Sequence, residues 1–287
     1  MTPDRTKAAR ELLAFYAEAG VDGMLREQPT NHFGPEESPA NSATDAAQQR
    51  STPALALTGS RLRQPEPTRA GTAAPNAPGA SLPLSRDTAV MAAREAARNA
   101  ASLDELRAIM TGFQGCALRV TATQLVFADG NPQARVMFVG EAPGRDEDLA
   151  GLPFVGRSGK LLDRMLAAIG LDRTSAYIAN IIPWRPPGNR TPTPQESQIC
   201  LPFILRQIEL ADPDVLVCLG GPSSQALLGF KDGIRRTRGR WLSFDTGKRE
   251  IRAMATFHPA YLLRSPLEKR HAWRDFLAVK KALVPPI

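Results

Sequence analysis

Short apolar runs alternate with helical segments through the second half of the chain, and this alternation constrains the fold more than any other feature. The runs at residues 136–140, 176–182 and 215–220 have the length and composition of buried strands. Each is followed by a turn-rich stretch and then by a helical pattern. Because parallel strands need long crossovers, usually helical, the order predicts an α/β protein with a parallel sheet covered on both faces by helices.

The segments between and after these runs complete the predicted order. Residues 158–169 and 194–210 place their large apolar side chains on one face of a helix, as expected of helices that cover a sheet. Two late strands are predicted at 241–244 and 251–256, and a closing helix at 266–283.

The N-terminal part of the chain differs in composition from the rest. Residues 6–19 carry apolar side chains at helical spacing, whereas residues 28–85 consist largely of Pro, Ala, Ser, Thr, Gly and Gln. A segment of that composition buries too little apolar surface to offset the entropy of ordering. We therefore predict a helical segment at 1–27, a flexible linker at 28–85 and a catalytic domain at 86–287.

Charge and cysteine content limit the partners and the compartment. The formal net charge of +7 is as compatible with a polyanionic partner as with an ordinary basic protein. Three scattered cysteines, an odd number, argue against a disulfide framework and for a reducing compartment, so we expect a cytoplasmic protein. The sequence shows no apolar run long enough for a signal peptide or a membrane span, and no membrane role is expected.

Ligands of open parallel sheets bind beyond the carboxyl ends of the strands, so the loops that follow the strands are the candidate site. The first loop, residues 140–144, is a tight turn of two glycines and a proline that carries the carboxylate of Glu141. The acidic residues that follow, 146–148, fit the N-terminus of a helix.

The second and third loops each begin with a polar side chain at the end of a strand. Asn180 opens a proline-rich stretch that runs to Arg190, and its amide could read the edge of a base or only form a turn. His258 opens residues 258–264; a lone histidine is more often structural than catalytic.

Several other kinds of site are excluded by spacing. The stretch 156–160 resembles a phosphate loop, but Phe154 stands where a glycine is needed and Leu161 where a magnesium-binding hydroxyl is needed. Three cysteines and three histidines do not form a metal site at customary spacings. We therefore expect neither a nucleotide cofactor nor a metal.

Taken together and in this order, four motifs resemble those of the uracil-DNA glycosylase superfamily, most of all its iron-sulfur family 4. The resemblance covers about residues 106–284. It implies a three-layer α/β/α fold with a central, mainly parallel four-stranded sheet, and an enzyme that excises uracil from DNA and so initiates base excision repair. The motifs are VGEAPG with Glu147 and Asp148, LPFVGRSG at 152–159, the stretch from Asn180 to Arg190, and HPAYLLR at 258–264.

The resemblance also implies a role for individual residues. Phe154 would stack on the flipped uracil and Asn180 would read its Watson–Crick edge. His258 would stabilise the negative charge that develops on the departing base, and Glu141 would position or activate water. The further residues expected to contribute to the base pocket are Gly140, Ala142 and Asn189.

One departure from the family 4 pattern concerns its iron-sulfur cluster. Of the four expected cysteine ligands only Cys116 and Cys200 are present, and Phe113 and Trp184 stand at the other two positions. Two thiolates cannot hold such a cluster, so we expect none, with the two aromatic side chains filling the vacated volume.

The expected partner is DNA that contains uracil, bound by a monomeric, monofunctional enzyme associated with the nucleoid. The flipping wedge would be Leu262 and Leu263, and phosphate contacts are expected from Arg264 and Arg190. Two alternatives stay open at this stage: a glycosylase for another deaminated base, such as hypoxanthine or xanthine, and a lesion-binding protein without catalysis.

Overall fold

The computed structural model describes residues 86–284 of the chain. The helical segment predicted at 1–27 and the linker predicted at 28–85 lie outside the described residues, as do the last three residues of the predicted catalytic domain. Within the described part, no helix has the length and apolarity needed to cross a bilayer.

A six-stranded sheet forms the middle layer, in the order β1-β3-β2-β4-β6-β5. The four central strands, β3, β2, β4 and β6, are parallel, and the strands at the two edges are antiparallel to their neighbours. The predicted α/β/α fold with four parallel strands is therefore confirmed, with two edge strands added. The strands are β1 (Asp129–Gly130), β2 (Val136–Gly140), β3 (Tyr177–Asn180), β4 (Val215–Leu219), β5 (Trp241–Asp245) and β6 (Glu250–Thr256).

Alternate residues of the central strands face opposite helical layers, as strand geometry requires. In β2, Met137 and Val139 pack in one core with α1, α2 and α6, whereas Val136 and Phe138 pack in the other with α5 and α10. The helices are α1 (Arg86–Asn99), α2 (Leu103–Gly112), α3 (Leu118–Thr121), α4 (Arg145–Ala150), α5 (Arg157–Ala168), α6 (Pro194–Ala211), α7 (Gly221–Leu228), α8 (Ile234–Thr237), α9 (Pro259–Arg264) and α10 (Lys269–Leu283), with 3-10 turns at Pro187–Asn189 and Pro266–Glu268.

One covering helix, α6, begins where its sequence provides a side-chain cap. Thr193 caps α6, accepting a hydrogen bond from the Glu196 amide while the Glu196 carboxylate accepts one from the Thr193 amide. The helices predicted at 158–169 and 194–210 agree with α5 and α6 to within a residue at each end.

A buried ionic network joins α10 to the carboxyl end of β6, next to the third loop. Asp275 of α10 accepts hydrogen bonds from the Thr256 hydroxyl at 2.6 Å and from Nε of Arg238 at 2.8 Å. Its side chain is only 2% exposed. Loss of one partner from such a network leaves uncompensated polar groups in the interior.

We expect Asp275→Ala to lower the free energy of unfolding by about 3 kcal/mol, because Arg238 would stay partly buried without its acceptor. Urea denaturation measures the change. The matched control is Asp232→Ala, which removes a loose, exposed pair with Arg236 and should cost less than about 0.5 kcal/mol. Equal, small losses in the two variants would show that the network does not stabilise the fold.

Candidate active site

A cavity of about 230 Å³ lies at the carboxyl end of the parallel strands, and all three predicted loops line it. The parallel pairing of β2 with β3 places Gly140 beside Asn180, so the first two loops leave the sheet together. The predicted site residues that line the cavity are Glu141, Ala142, Phe154, Asn180, Asn189, Arg190 and His258.

Gly140 lies behind the cavity, and its lack of a side chain is a steric requirement. A Cβ atom at this position would lie 2.4 Å from Oδ1 of Asn180 and 2.6 Å from the ring of Phe154. Only glycine therefore allows the amide and the ring to come together over the end of β2.

Asn180 lines the cavity and has an unsatisfied, buried acceptor. The residue is 5% exposed, and its Oδ1 has no hydrogen-bond partner among the residues that the structure describes. Burying a polar atom without a partner is costly. A ligand that places an N–H group against this oxygen would recover that cost.

Phe154 forms a wall of the cavity, and its ring centroid lies 5.4 Å from that of His258. The residue has a left-handed backbone, with φ of 56°, and is 4% exposed. The ring also packs against the core on the α5 side of the sheet.

His258 caps α9, and this role determines which ring nitrogen carries its proton. Nδ1 accepts a hydrogen bond from the Ala260 amide at 3.1 Å, so the neutral ring is protonated on Nε2. Burial, aided by the positive charge of Arg264, lowers the pKa of His258 to about 4. At neutral pH the cavity therefore contains an uncharged imidazole whose free nitrogen is a donor.

Glu141 is the carboxylate of the cavity. It directly follows β2 and is partly buried, and this burial raises the pKa of its side chain above the ordinary value. Glu141 lines the cavity together with residues of the second loop, so its carboxylate can act on water or on developing positive charge.

One of the acidic residues after the first loop, Glu147, holds two loops together, a role that the sequence did not reveal. These acidic residues occupy the first turn of α4 as predicted. Glu147 also accepts hydrogen bonds from the amides of Gly144, Val155 and Gly156 at 3.0–3.1 Å, and so links the first loop to the loop of Phe154. The spacing of Glu147 three residues after Gly144 is that of a capping box and was the available signal.

The second loop is held in shape by internal polar contacts. Asn189 has φ of 56°, and its Oδ1 accepts a hydrogen bond from Nε of Arg185 at 2.7 Å. Arg190 lines the cavity but makes a two-point ion pair with Glu196, at 2.6 and 2.9 Å. A phosphate would have to compete with that carboxylate for Arg190.

The proposed wedge needs a correction. Leu262 is 1% exposed and packs against Phe257 and Ala272, so it is not available to enter a base stack. Leu263 is 38% exposed and borders a groove beside the cavity together with Arg264. Two further arginines that the sequence reading missed, Arg145 and Arg157, border the same groove; each starts a helix directly after a glycine.

The positions of the family 4 cluster ligands do not fit an iron-sulfur cluster. Sγ of Cys116 and Sγ of Cys200 lie 4.0 Å apart in the core. Trp184 is buried at the third position, and Phe113 at the fourth packs edge-on against Phe203. Among residues 86–284 no three His, Cys, Asp or Glu side chains come together in a way that could hold a metal. Two thiols in an apolar core are too few donors for a cluster.

Comparisons with known proteins agree with the geometry of the site. The family model described as the uracil DNA glycosylase superfamily matches residues 127–277, which contain all the cavity residues described above. A type-4 uracil-DNA glycosylase of Archaeoglobus fulgidus is 41% identical over 179 residues, which are 61% of this chain and 90% of the relative.

Two further relatives carry the same name. The enzyme of Thermotoga maritima is 46% identical over 154 residues, 52% of this chain and 77% of its own length. That of Sulfurisphaera tokodaii is 35% identical over 190 residues, 64% of this chain and 86% of its own length. Because the family model matches more than half of this chain and the three relatives are covered to between 77% and 90% of their lengths, the chain belongs to the uracil DNA glycosylase superfamily and, within it, to the type-4 group.

Proposed function

We propose that this protein excises uracil from DNA by flipping the nucleotide into the cavity and hydrolysing its N-glycosidic bond. The observation that carries the proposal is the pairing, in one small cavity, of the unsatisfied Asn180 oxygen with the uncharged His258 donor. The relatives from Archaeoglobus fulgidus and Thermotoga maritima bear the name of the same activity.

The edge of uracil complements the amide of Asn180. Uracil has an N–H donor at N3 beside the carbonyl O4, so Oδ1 can accept and the amide nitrogen can donate. Cytosine has an acceptor at N3 and would leave Oδ1 buried without a partner. A site built on a buried polar group rejects the base that leaves that group unpaired.

The bond-breaking step places negative charge on the base and positive charge on the sugar. The N1–C1′ bond breaks with its electron pair moving to N1, and water adds to C1′, yielding free base and an abasic site. Nε2–H of His258 can donate to O2 of the departing base, where charge accumulates. The Glu141 carboxylate can orient the water, accept its proton and offset the charge of the sugar.

The groove beside the cavity supplies a path for the DNA backbone. Three exposed arginines, Arg145, Arg157 and Arg264, border it together with Leu263. Guanidinium groups bind phosphates without reading sequence, which suits an enzyme that acts on one base in any context. Leu263 alone can fill part of the space left by the flipped base.

The protein is further proposed to act without an iron-sulfur cluster, as a monomer on nucleoid DNA in the cytoplasm. The absence of two cysteine ligands supports the first point. The scattered, odd set of cysteines supports a reducing compartment.

We expect His258→Ala to slow the single-turnover release of uracil by at least about a hundredfold, because a preorganised donor to the developing anion is lost. Asn180→Ala should impair recognition of the base as well as the rate. His271→Ala, an unrelated histidine near Glu268 on the surface, is the control and should match the wild type. The same assay on DNA that contains hypoxanthine or xanthine shows whether the enzyme releases another deaminated base instead of uracil. A His258→Ala enzyme of nearly wild-type rate would overturn the mechanism.

The pH dependence should come from Glu141. Since the pKa of His258 is about 4, the imidazole stays neutral between pH 5 and pH 8. Burial raises the pKa of Glu141, so the single-turnover rate should fall as acidification protonates this carboxyl. Glu141→Gln should lower the rate and remove its decline at acidic pH. A decline of the rate that is centred near pH 6.5 and persists in Glu141→Gln would contradict this assignment.

Purified protein should be colourless and contain no stoichiometric iron or acid-labile sulfide, because only two of four thiolate ligands exist. Metal analysis and the visible spectrum test this on protein made under iron-replete, anaerobic conditions. The matched variant Phe113→Cys with Trp184→Cys restores the four-cysteine pattern and controls for cluster supply. Stoichiometric iron in the wild type would refute the prediction.

A further inference from the structure

A single arginine outside the cavity binds the backbone that carries Phe154. Arg173 lies in the connection between α5 and β3, and its Nη1 donates to the Pro153 carbonyl at 3.1 Å while Nη2 donates to the Phe154 carbonyl. Two carboxylates hold the same guanidinium: Asp163 of α5 accepts from Nε at 2.8 Å, and Asp129 of β1 accepts from Nη1. The arginine therefore joins the sheet edge and a helix to the loop.

The backbone at Phe154 needs such support. A non-glycine residue with φ of 56° is in a region that L-residues rarely occupy, and it persists only where neighbouring structure enforces it. On the far side of the residue, Glu147 accepts from the amides of Val155 and Gly156. A Cβ at Gly159 would lie 1.6 Å from the Phe154 carbonyl oxygen, so that oxygen already contacts α5.

We infer that Arg173 is a positioning residue for the stacking side chain: it clamps the Phe154 carbonyl and so holds the ring against the base. The inference rests on the proposed function and adds a specific residue to it. Four acceptors surround one guanidinium, and a planar fork of five donors can serve them together. A lysine would keep the charge and lose that fork.

A second arginine of the chain offers a matched control. Arg249 also binds carboxylates and main-chain carbonyls, those of Asp212, Pro213 and Asp214. It lies at the opposite end of the sheet, because these acceptors directly precede β4 and the cavity lies beyond the carboxyl ends of the strands. Arg249→Lys therefore removes an equivalent fork without contact to Phe154.

The decisive experiment combines Arg173→Lys and Arg249→Lys, each with and without Phe154→Ala. Three quantities are measured for each variant. They are the dissociation constant of free uracil, the uracil-DNA concentration that gives half of the maximal single-turnover rate, and that maximal rate. Arg173→Lys should weaken uracil binding about tenfold, within the range for lost base–aromatic stacking, and should lower the limiting rate less. Arg249→Lys should change neither. In the Phe154→Ala background Arg173→Lys should have less than about a twofold further effect, since residues acting through one group are not additive.

A loss from Arg173→Lys that is equally large with and without Phe154 would overturn the inference. Amide hydrogen exchange at Val155 and Gly156 adds a readout that does not need catalysis: it should accelerate in Arg173→Lys and not in Arg249→Lys. If Arg173→Lys does not fold, Asp163→Asn is used instead, because it removes one of the carboxylates that hold Arg173. It is then compared with and without Phe154→Ala in the same way. A wild type that releases no uracil would refute the proposed function, whereas unchanged exchange in Arg173→Lys would refute the clamp.

Discussion

The parallel pairing of β2 with β3 is the constraint on which the site depends. Its register places Gly140 opposite Asn180, and the missing side chain at Gly140 leaves room for the amide and for Phe154. A slip of one residue would turn the Asn180 side chain to the other face of the sheet. The helices packed on both faces oppose such a slip, because it would force every β3 side chain into the packing of the opposite layer.

The loops form a binding site because some of their polar groups are hydrogen-bonded within the protein and others are left for a ligand. Glu147 and Arg173 form hydrogen bonds with main-chain groups of the loops and hold the loops in place. Asn180 keeps an oxygen without a partner among the described residues, and His258 keeps a proton on its free nitrogen. Rigid supports around unsatisfied groups preorganise a site, because the groups do not have to reorient when the base arrives.

Apolar side chains stand at two of the four positions that hold cluster ligands in the family 4 pattern. Trp184 lies in the second loop, shortly after Asn180, and is fully embedded in the core, while Phe113 packs on α6 through Phe203. Apolar packing can therefore connect the second loop to α2 and α6, as a cluster with ligands on the same segments would. In the cluster-free protein that we propose, dispersion and hydrophobic burial stabilise this part of the scaffold in place of metal–thiolate bonds.

The sequence by itself determined the layered α/β fold, the helices α5 and α6 to within a residue, and the loops that carry Glu141, Asn180 and His258, because periodicity and turn residues are local signals. Only the tertiary structure decided that Leu262 is buried and Leu263 exposed, that Phe154 is buried, and that Arg173 reaches its carbonyl. Two adjacent leucines look alike in a sequence, and only packing against Phe257 and Ala272 separates them. The two-residue edge strand β1 likewise has no local signal, since its pairing with β3 comes from contacts distant in the chain.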